Sequence, residues 1–555
     1  MIKYSKIHIC LLTLACFVQT SVLATKMATV FLNVPNETKQ KIYDYAFDVS
    51  DPDSKNYGNY LSSQELFNLV NVPDGKYVTA YLDQQKTLSY VNHGDNIEVF
   101  GDESDVVNVL TNLPSDVSRY VYFIEGTTSV GKKIRHGTKI SHIQNNITPT
   151  GIQNNITPDP GFVGRETIAR MYGIPFDLTV STSSSVALIE FSDGGFGRSD
   201  YFEALKANNV VSTAPQVIIG EDDQEGTESS LDVQMVGETC PNVTLWYIDY
   251  DNTAWIPTFA TNVSNMNCTP NVVSVSYGWS SFFQCQVAAC GNLTNEQYLA
   301  LANYALAKLA CRGVTTVVSS GDSGSPSRED AGCEQTPTVQ AEFPSSSPFV
   351  LSVGGVFIVN PPTNSTENFT TPFCQQYTCA TGNATKIVEN RYVGWGSGAG
   401  FDYFNNRSDV APWQDVFVKD YQLANVSFPN DYNVYGVSRP DVVGLAHNAG
   451  IFMSGQMESV DGTSMSSPIV AGMIGLLNDK RIKDGKPVLG FVNQLFYKLK
   501  LVDNRTFVNH YVGNTASTEE LECSPNYGFF ADGTTVFSTP AGLGSPNFAR
   551  LYNLV

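Results

Sequence analysis

Basic residues are scarce in this chain of 555 residues, where Lys and Arg number 33 against 54 Asp and Glu, a formal net charge of −21. A surface of that sign repels phosphate, so the composition disfavours nucleic acid and anionic membranes as partners. Charged residues of both signs reach only 16%, whereas hydrophobic residues make up 42%. The composition therefore excludes a disordered acidic chain, and the length provides for more than one domain with a sizeable core.

Long hydrophobic segments are absent beyond the amino terminus, which disfavours stable insertion in a membrane. Lys3 and Lys6 precede an apolar run over residues 7–18, which is shorter than a membrane span and is followed by small residues near Ala24. We therefore predict a secretory signal over residues 1–24 and a mature protein that is lumenal or secreted. Thirteen Asn-x-Ser/Thr sequons agree with that location and predict a glycosylated surface.

Cysteine is missing between the predicted signal and Cys240, and nine cysteines lie from there to Cys523. An oxidising compartment favours disulfides, the spacings match no zinc pattern, and an odd number leaves at least one thiol unpaired. Cys311, which lies in a helical pattern, is predicted to be a buried free thiol. Two pairs are close enough in sequence to bridge locally, Cys285 with Cys290 and Cys374 with Cys379.

The cysteine-free residues 25–160 are predicted to form a separate, small α+β unit. Strand-like runs at 76–82 and 120–125 flank a helical pattern at 104–113. The unit ends in a polar segment, residues 143–158, in which the sequence Ile-Gln-Asn-Asn-Ile-Thr-Pro occurs twice. Such a solvated, Pro-punctuated linker is a typical site of proteolysis.

Residues 161–555 alternate short, nearly unbroken apolar runs with helical patterns, which predicts an α/β fold with a parallel sheet covered by helices. The strand-like runs are residues 185–191, 244–249, 272–277 and 314–319, and the helical patterns are residues 165–171, 200–207 and 296–311. In such sheets the chemistry lies at the carboxyl ends of the strands. Reactive side chains are therefore expected at that edge.

A serine stands where a helix is predicted to begin. Ser464, the last residue of an Asp-Gly-Thr-Ser sequence, leads into an apolar helical run at residues 469–477. A hydroxyl at a glycine-led helix start is exposed, and the free amides beside it can stabilise an oxyanion, as a nucleophile requires. The alternative interpretation is an ordinary Ser/Thr N-cap with Pro468 in the first turn.

Histidine, the usual base for a nucleophilic serine, is nearly missing from this part of the chain. Of the six histidines only His447 and His510 follow the linker, and neither lies in a Gly-Thr-His sequence. His136 precedes Gly-Thr but belongs to the amino-terminal unit, so a Ser/His/Asp triad is disfavoured. Residues 321–326 resemble a trypsin nucleophile loop, but trypsin-like chains are all β and carry a His-Cys pair upstream.

Carboxylates can take the place of histidine. Glu228 and Asp232 are spaced i, i+4 in a helical pattern, so both lie on one face, where they are stable together when they share a proton. A carboxylate held in this way can accept the proton of a serine at acidic pH. Asp322 follows a strand, between glycines, and when protonated can donate to an oxyanion. The alternatives are a solvated acidic helix start for the pair and a turn former for Asp322.

Several motifs together resemble the sedolisin family of serine-carboxyl peptidases, and within it the lysosomal tripeptidyl-peptidase I branch. In family order they are Glu-x-x-x-Asp at 228–232, Val-Ser-Val-Ser-Tyr-Gly at 273–278, Ser-Gly-Asp-Ser-Gly at 320–324 and Gly-Thr-Ser-x-x-x-Pro at 462–468. The amino-terminal unit resembles the prosegment of this family through Ser-Asp-Pro at 50–52 and Tyr-Gly-Asn-Tyr-Leu-Ser at 57–62. The resemblance runs from about residue 30 to the end of the chain.

The resemblance implies a subtilisin-like parallel sheet in a peptidase domain at 161–555, preceded by an activation prosegment at 25–160 that inhibits its own enzyme. Carried over residue by residue, the nucleophile is Ser464, the general base is Glu228, its orienting partner is Asp232 and the acid that stabilises the oxyanion is Asp322. The family pattern also implies a Cys333–Cys523 disulfide, activation by acid and self-cleavage near the duplicated linker. It implies peptide and protein substrates, release of tripeptides from free amino termini, and a lysosomal, other acidic endomembrane or secreted location.

Two departures from the family pattern concern the active site. Asp461 stands where the family usually has Ser, just before the predicted helix start. Trp279 follows Ser-Tyr-Gly, where tripeptide-releasing members tend to carry an acid suited to the substrate amine. This leaves an acid endopeptidase of the same family as an alternative. A catalytically silent peptide-binding glycoprotein is a further alternative, which is disfavoured because all four active-site positions hold competent residues.

A third departure concerns calcium, which the family binds near its carboxyl terminus at a segment that begins Phe-x-Asp. In this chain Phe507 is followed by Asn509, and the second acid of the family has no clear counterpart before Gly542. Calcium prefers several carboxylate oxygens. We therefore expect a weak calcium site or none.

Overall fold

The structure is a computed structural model. It describes residues 26–128, 139–140, 161–191, 194–220, 225–326, 328, 330–334, 339–359, 385–424, 426–429, 431–518 and 520–555. The predicted signal, the duplicated linker, His136, Cys374 and Cys379 lie outside the described residues.

The amino-terminal unit is a four-stranded antiparallel sheet with helices, in the strand order β2-β3-β1-β4. Its elements are β1 Lys26–Leu32, α1 Asn36–Ser50, α2 Ser63–Val70, α3 Gly75–Leu82, β2 Ser89–Asn92, β3 Asn96–Gly101, α4 Glu103–Thr111, α5 Ser115–Ser118 and β4 Val121–Glu125. Val30, Ile97, Val99 and Val106 are among the fully buried side chains of a core of its own. The prediction of a small α+β unit is confirmed.

One element of this unit differs from its prediction. Residues 76–82, predicted to be strand-like, belong to helix α3. Gly75, Val78 and Leu82 are its buried residues, whereas Tyr77 is 43% exposed. This spacing of three and four residues is the period of a helix, and the short run of β-branched and aromatic residues had concealed it.

The short strand β5 Lys139–Ile140 lies before residue 161 and is the last described element of the amino-terminal part. The larger part of the chain follows it. Its strands are β6 Ser185–Phe191, β7 Val217–Ile219, β8 Thr244–Tyr250, β9 Val272–Val275, β10 Thr315–Ser319, β11 Leu351–Ile358, β12 Thr385–Ile387, β13 Gly400–Asn406, β14 Gly436–Arg439, β15 Val442–Leu445, β16 Ala449–Met453, β17 Gln456–Asp461, β18 Phe507–Val508, β19 Val512–Asn514, β20 Phe530–Asp532 and β21 Ser545–Pro546. Its helices are α6 Arg165–Tyr172, α7 Arg198–Ala207, α8 Thr227–Thr239, α9 Ile256–Asn265, α10 Asn295–Cys311, α11 Asn390–Val393, α12 Arg407–Val410, α13 Asp415–Gln422, α14 Thr463–Lys483, α15 Asn493–Val502 and α16 Phe548–Leu554.

An eight-stranded sheet forms the centre, in the order β12-β11-β10-β9-β6-β8-β7, with β15 also paired to β11. Every pairing in it is parallel except that of β11 with β12. Both faces are buried: Val186 and Leu188 of β6 pack with α8 and α14, and Ala187 and Ile189 pack with α9 and α10. The predicted α/β fold with a helix-covered parallel sheet is confirmed.

The amino-terminal unit packs against α9 and α10 through an apolar interface. Phe31, Ile42 and Phe123 belong to the same buried cluster as Phe259 and Tyr298. The short strand β5 adds a second contact, because its Ile140 and Lys139 pair with Val460 and Asp461 of β17. The unit thus reaches the segment that precedes Ser464.

The cysteines follow the sequence predictions wherever they are described. Cys285 is bridged to Cys290 and Cys333 to Cys523, and Cys311 is a buried free thiol. Across the described ranges, none of the helices combines the length and the apolar character needed to cross a membrane.

Candidate active site

Ser464 lies in the first turn of α14, the helix that runs through the middle of the molecule. Gly462 precedes the helix with φ of 145°, a backbone conformation that favours glycine. The Ser464 hydroxyl points to the carbonyl oxygen of Ser276, 3.5 Å away, at the carboxyl end of β9. Its position at the helix start agrees with the sequence prediction, but the residue is fully buried rather than exposed.

Glu228 and Asp232 lie one turn apart on α8, which is buried from Glu228 to Thr239. Both carboxylates are 0% exposed, so the interpretation of a solvated acidic helix start is wrong. Two ionised carboxylates at this spacing in a dry environment would repel each other. The burial therefore favours a pair that shares a proton.

Ser276 connects Asp232 to the serine at the helix start. Its hydroxyl lies 3.0 and 2.9 Å from the two carboxylate oxygens of Asp232 and 3.4 Å from the carbonyl oxygen of Ser464. All three residues are fully buried. The hydroxyl carries one proton, so its bond to Asp232 fixes the orientation of that carboxylate beside α14.

Asp322, which follows β10, also contacts the helix start. Its Oδ1 atom accepts hydrogen bonds from the backbone N–H and the hydroxyl of Thr463, both at 2.7 Å. The Thr463 hydroxyl also accepts from the N–H of Gly321 at 3.1 Å. Asp322 is 1% exposed and is bonded to the residue next to Ser464. Asp322 therefore does more than favour a turn, because it binds the first residue of α14.

A further buried carboxylate, that of Glu190, was not predicted from the sequence. Glu190, at the end of β6, is 0% exposed and accepts a hydrogen bond of 2.8 Å from the hydroxyl of Tyr277, the neighbour of Ser276. A glutamate within the apolar run of β6 was the available signal, since a charged residue in a fully buried strand needs a partner.

The sequence indicates Asp461 as a departure from the family pattern, but it does not predict that His447 is its partner. The Asp461 carboxylate is bonded to His447, Asn448 and Trp395. His447, dismissed as a catalytic base, lies at the turn after β15, and its ring packs edge-on against Phe357. The Asp461–His447 pair therefore stabilises the start of α14 and is not part of the cluster around Ser464.

Trp279 lies just beyond the Ser-Tyr-Gly sequence of β9. Its N–H donates to the carbonyl of Phe343 at 2.8 Å, and the N–H of Phe343 donates back at 2.9 Å. The indole N–H donates to Gln286 at 3.3 Å, and the side chain is nearly buried. These bonds therefore fix Trp279 beside the segment after β9 that carries Ser276.

Three or more His, Cys, Asp or Glu side chains that could share a metal ion are not found together in the part of the chain that the structure describes. The cluster around Ser464 consists of hydroxyl and carboxyl groups. At such a centre a proton can pass from a serine to a carboxylate, and a second acid can stabilise an oxyanion.

Comparison with known proteins finds relatives that match most of the chain. The model of the subtilase family matches residues 214–488, and that of the pro-kumamolisin activation domain matches residues 19–111. Physarolisin of Physarum polycephalum is 30% identical over 92% of this chain and 90% of its own, and tripeptidyl-peptidase 1 of Macaca fascicularis is 25% identical over 91% and 87%.

A solved structure supports the same fold. Pseudomonas sedolisin, a serine-carboxyl proteinase complexed with pseudo-iodotyrostatin, superimposes with a TM-score of 0.53 at 21% identity, covering 71% of this chain and 98% of its own. The central sheet is therefore subtilisin-like, as the resemblance implied. The sequence motifs, the activation domain and the relatives agree, and the chain belongs to the sedolisin family of serine-carboxyl peptidases.

Proposed function

We propose that this peptidase is made as a zymogen, is activated by acid and hydrolyses peptide bonds through an acyl-enzyme on Ser464. The observation that carries the proposal is the chain of contacts from Asp232 through the Ser276 hydroxyl to the backbone of Ser464. It joins the acidic pair of α8 to the start of α14, with a third acid, Asp322, bonded to Thr463.

Acylation begins when Ser464 Oγ attacks the scissile carbonyl carbon. Its proton passes to Glu228, the general base, while Asp232 shares a proton with Glu228 and keeps it oriented. Ser276 holds Asp232 in place, because its hydroxyl bonds to both carboxylate oxygens. A carboxylate base of this kind works in acid, where an imidazole is already protonated.

The carbonyl oxygen gains a negative charge as the Ser464 C–O bond forms. Protonated Asp322 donates a hydrogen bond to this oxyanion, at a helix start whose amides favour negative charge. The C–N bond then breaks, and the leaving amine takes the proton from Glu228. A water molecule, deprotonated by Glu228, attacks the ester, and Ser464 recovers its proton as the acid product leaves.

The substrate proposal is a polypeptide with a free amino terminus, from which tripeptides are released. It rests on the similarity to tripeptidyl-peptidase 1 over 91% of the chain. A second candidate, an acid endopeptidase, is favoured by Trp279, because an indole already bonded to Gln286 cannot neutralise a substrate ammonium group.

The amino-terminal unit is proposed to act as the inhibitor of its own enzyme until it is cleaved in the linker before residue 161. Support comes from the match to an activation domain and from β5, which pairs with Asp461 close to Ser464. Acid activation fits a lysosomal or other acidic endomembrane compartment, or secretion into acid, and the sequons fit a glycosylated surface.

Two peptide substrates test the proposal after the full-length chain has been incubated near pH 4. One is an Ala-Ala-Phe peptide with a fluorogenic leaving group, and the other is an internally quenched peptide with a blocked amino terminus. Cleavage of the first alone supports tripeptide release, and cleavage of the second supports the endopeptidase. Activity that peaks in alkaline buffer would contradict a carboxylate base.

A further inference from the structure

Two loops near the carboxyl terminus are joined by one buried side chain. Residues 507–514 and 536–545 meet through the pairing of β18 with β21. Beyond that pair, the side-chain amide of Asn509 donates to the carbonyl oxygens of Val536 and Gly542, at 3.1 and 3.2 Å. Asn509 is 6% exposed; its bond to Gly542 is buried and its bond to Val536 is partly buried.

This is the segment where the resemblance implies calcium, and the residues present do not fit that ion. Neither 507–514 nor 536–545 contains an Asp or Glu. Calcium is bound by six to eight oxygen atoms, usually with carboxylates among them. The space between the two carbonyl oxygens is already filled by the nitrogen atom of Asn509, which is an electron-poor donor rather than a ligand.

We propose that the Asn509 amide replaces a divalent cation as the cross-link between these loops, so that the folded chain needs no calcium. Two carbonyl oxygens that face the same point repel each other unless a positive group lies between them. The two N–H groups of one amide supply that positive charge density in neutral form. They give the Val536 carbonyl a donor and give the Gly542 carbonyl a second donor besides the N–H of Ser538, which lies 3.3 Å away.

The cross-link supports the central sheet. Leu543 donates its N–H to the carbonyl of Asp441 at 2.8 Å, and the N–H of Val443 in β15 donates to Gly544 at 3.2 Å. Gly542 has φ of 56°, and a Cβ atom there would stand 2.2 Å from the Asp441 oxygen. The loop therefore lies directly against β15, with no room for a larger residue.

Thermal unfolding of the full-length chain at neutral pH tests the proposal without relying on activity. The Tm of the natural chain is expected to be the same in EDTA and in excess calcium chloride. A Tm that falls in EDTA and is restored by calcium would overturn the proposal.

Two variants test the role of the amide itself. Asn509→Ala is expected to lower the Tm by about 2 °C or more, equally with EDTA and with calcium, because the two hydrogen bonds that join the loops are lost. The exposed Asn526→Ala is the control and should leave the Tm unchanged. An unchanged Tm for Asn509→Ala would show that the amide is not a cross-link.

Asn509→Asp tests whether the amide and a cation are equivalent. It places a carboxylate against the same two carbonyls, a repulsive arrangement that a divalent cation can relieve. Its Tm is expected to be lower than that of the natural chain in EDTA and to rise when calcium is added. A Tm that calcium does not move would overturn the equivalence.

Discussion

The Nδ1 atom of His447 lies 2.7 Å from the Oδ2 atom of Asp461. The same carboxylate accepts from the N–H of Asn448 at 2.7 Å and from the indole of Trp395 at 3.3 Å. Burial raises the pKa of Asp461, but the charge and hydrogen bond of His447, together with the hydrogen bonds of Asn448 and Trp395, leave that pKa below its ordinary value. Asp461 thus ties the turn after β15 to the start of the helix that bears Ser464.

Asp461→Asn is expected to lower the free energy of unfolding by about 1–3 kcal/mol near pH 6, because a buried charged acceptor is lost. A carboxyl whose pKa is lower in the folded state stabilises the fold above its unfolded pKa, and this contribution disappears as the pH falls through the folded pKa. The difference from the parent should therefore shrink below about pH 4.

Urea unfolding across this pH range, in a Ser464→Ala background that prevents self-cleavage, measures the effect. The exposed Asp420→Asn is a matched control and should not change the unfolding free energy. If the cost of Asp461→Asn is the same at every pH, the charge of Asp461 is not its cause.

The strands, the helices and the local disulfide could be predicted from the sequence, because each depends on residues that are close together in the chain. The apolar runs that became β6 and β8 form strands of the parallel sheet, and the i, i+4 spacing of Glu228 and Asp232 lies on the helix α8 as predicted. The Cys285–Cys290 bridge is equally local.

Contacts between distant segments could not be predicted in this way. The Ser276 hydroxyl meets Asp232 at a separation of 44 residues, so only the tertiary fold brings the segment after β9 to α8. His447 meets Asp461 across the β16–β17 hairpin, whose register no local pattern specifies. Short runs also mislead, as residues 76–82 show: seven residues fit both a strand and two turns of helix.

Ser464→Ala is expected to abolish both peptide turnover and cleavage of the precursor, since removal of a nucleophile reduces turnover by roughly 10⁴-fold or more. Ser466→Ala is the matched control on the same turn, because its hydroxyl only donates to the carbonyls of Gly444 and Leu445. That variant should keep most of its turnover. A Ser464→Ala precursor that still matures without added enzyme would exclude self-cleavage by this serine.

Glu228→Gln is expected to reduce turnover by about 10²-fold or more while leaving the fold intact, because an amide of the same shape cannot accept the serine proton. The rate of acyl transfer at the acidic optimum, compared with the circular dichroism of the same preparation, separates chemistry from folding. Undiminished turnover in Glu228→Gln would remove this residue from the mechanism.

Ser276→Ala is expected to lower turnover less than Glu228→Gln and to change its pH profile. The variant removes the donor to both oxygens of Asp232, so the proton shared by the acidic pair is held differently. Ser274→Ala, whose hydroxyl faces Ser467 at 2.9 Å, is a control in the strand β9 just before Ser276. A pH profile that matches the natural enzyme would assign Ser276 a structural role only.

Glu125→Gln is expected to make the precursor mature about tenfold faster at a given mildly acidic pH. One carboxylate oxygen of Glu125, in the amino-terminal unit, accepts from the N–H groups of Trp255 and Thr258 at the start of α9, at 3.1 and 3.2 Å, and the other accepts from Tyr298 at 2.7 Å. A negative charge at a helix start stabilises this interface by about 1–2 kcal/mol, and protonation or an amide removes that charge.

An exposed control in the same unit is Glu37→Gln, which should mature like the parent. Maturation is followed by gel electrophoresis over time at several pH values, and because acid already protonates the parent, the two rates should converge at the lowest pH. A Glu125→Gln precursor that matures no faster at any pH would show that this carboxylate does not restrain the amino-terminal unit.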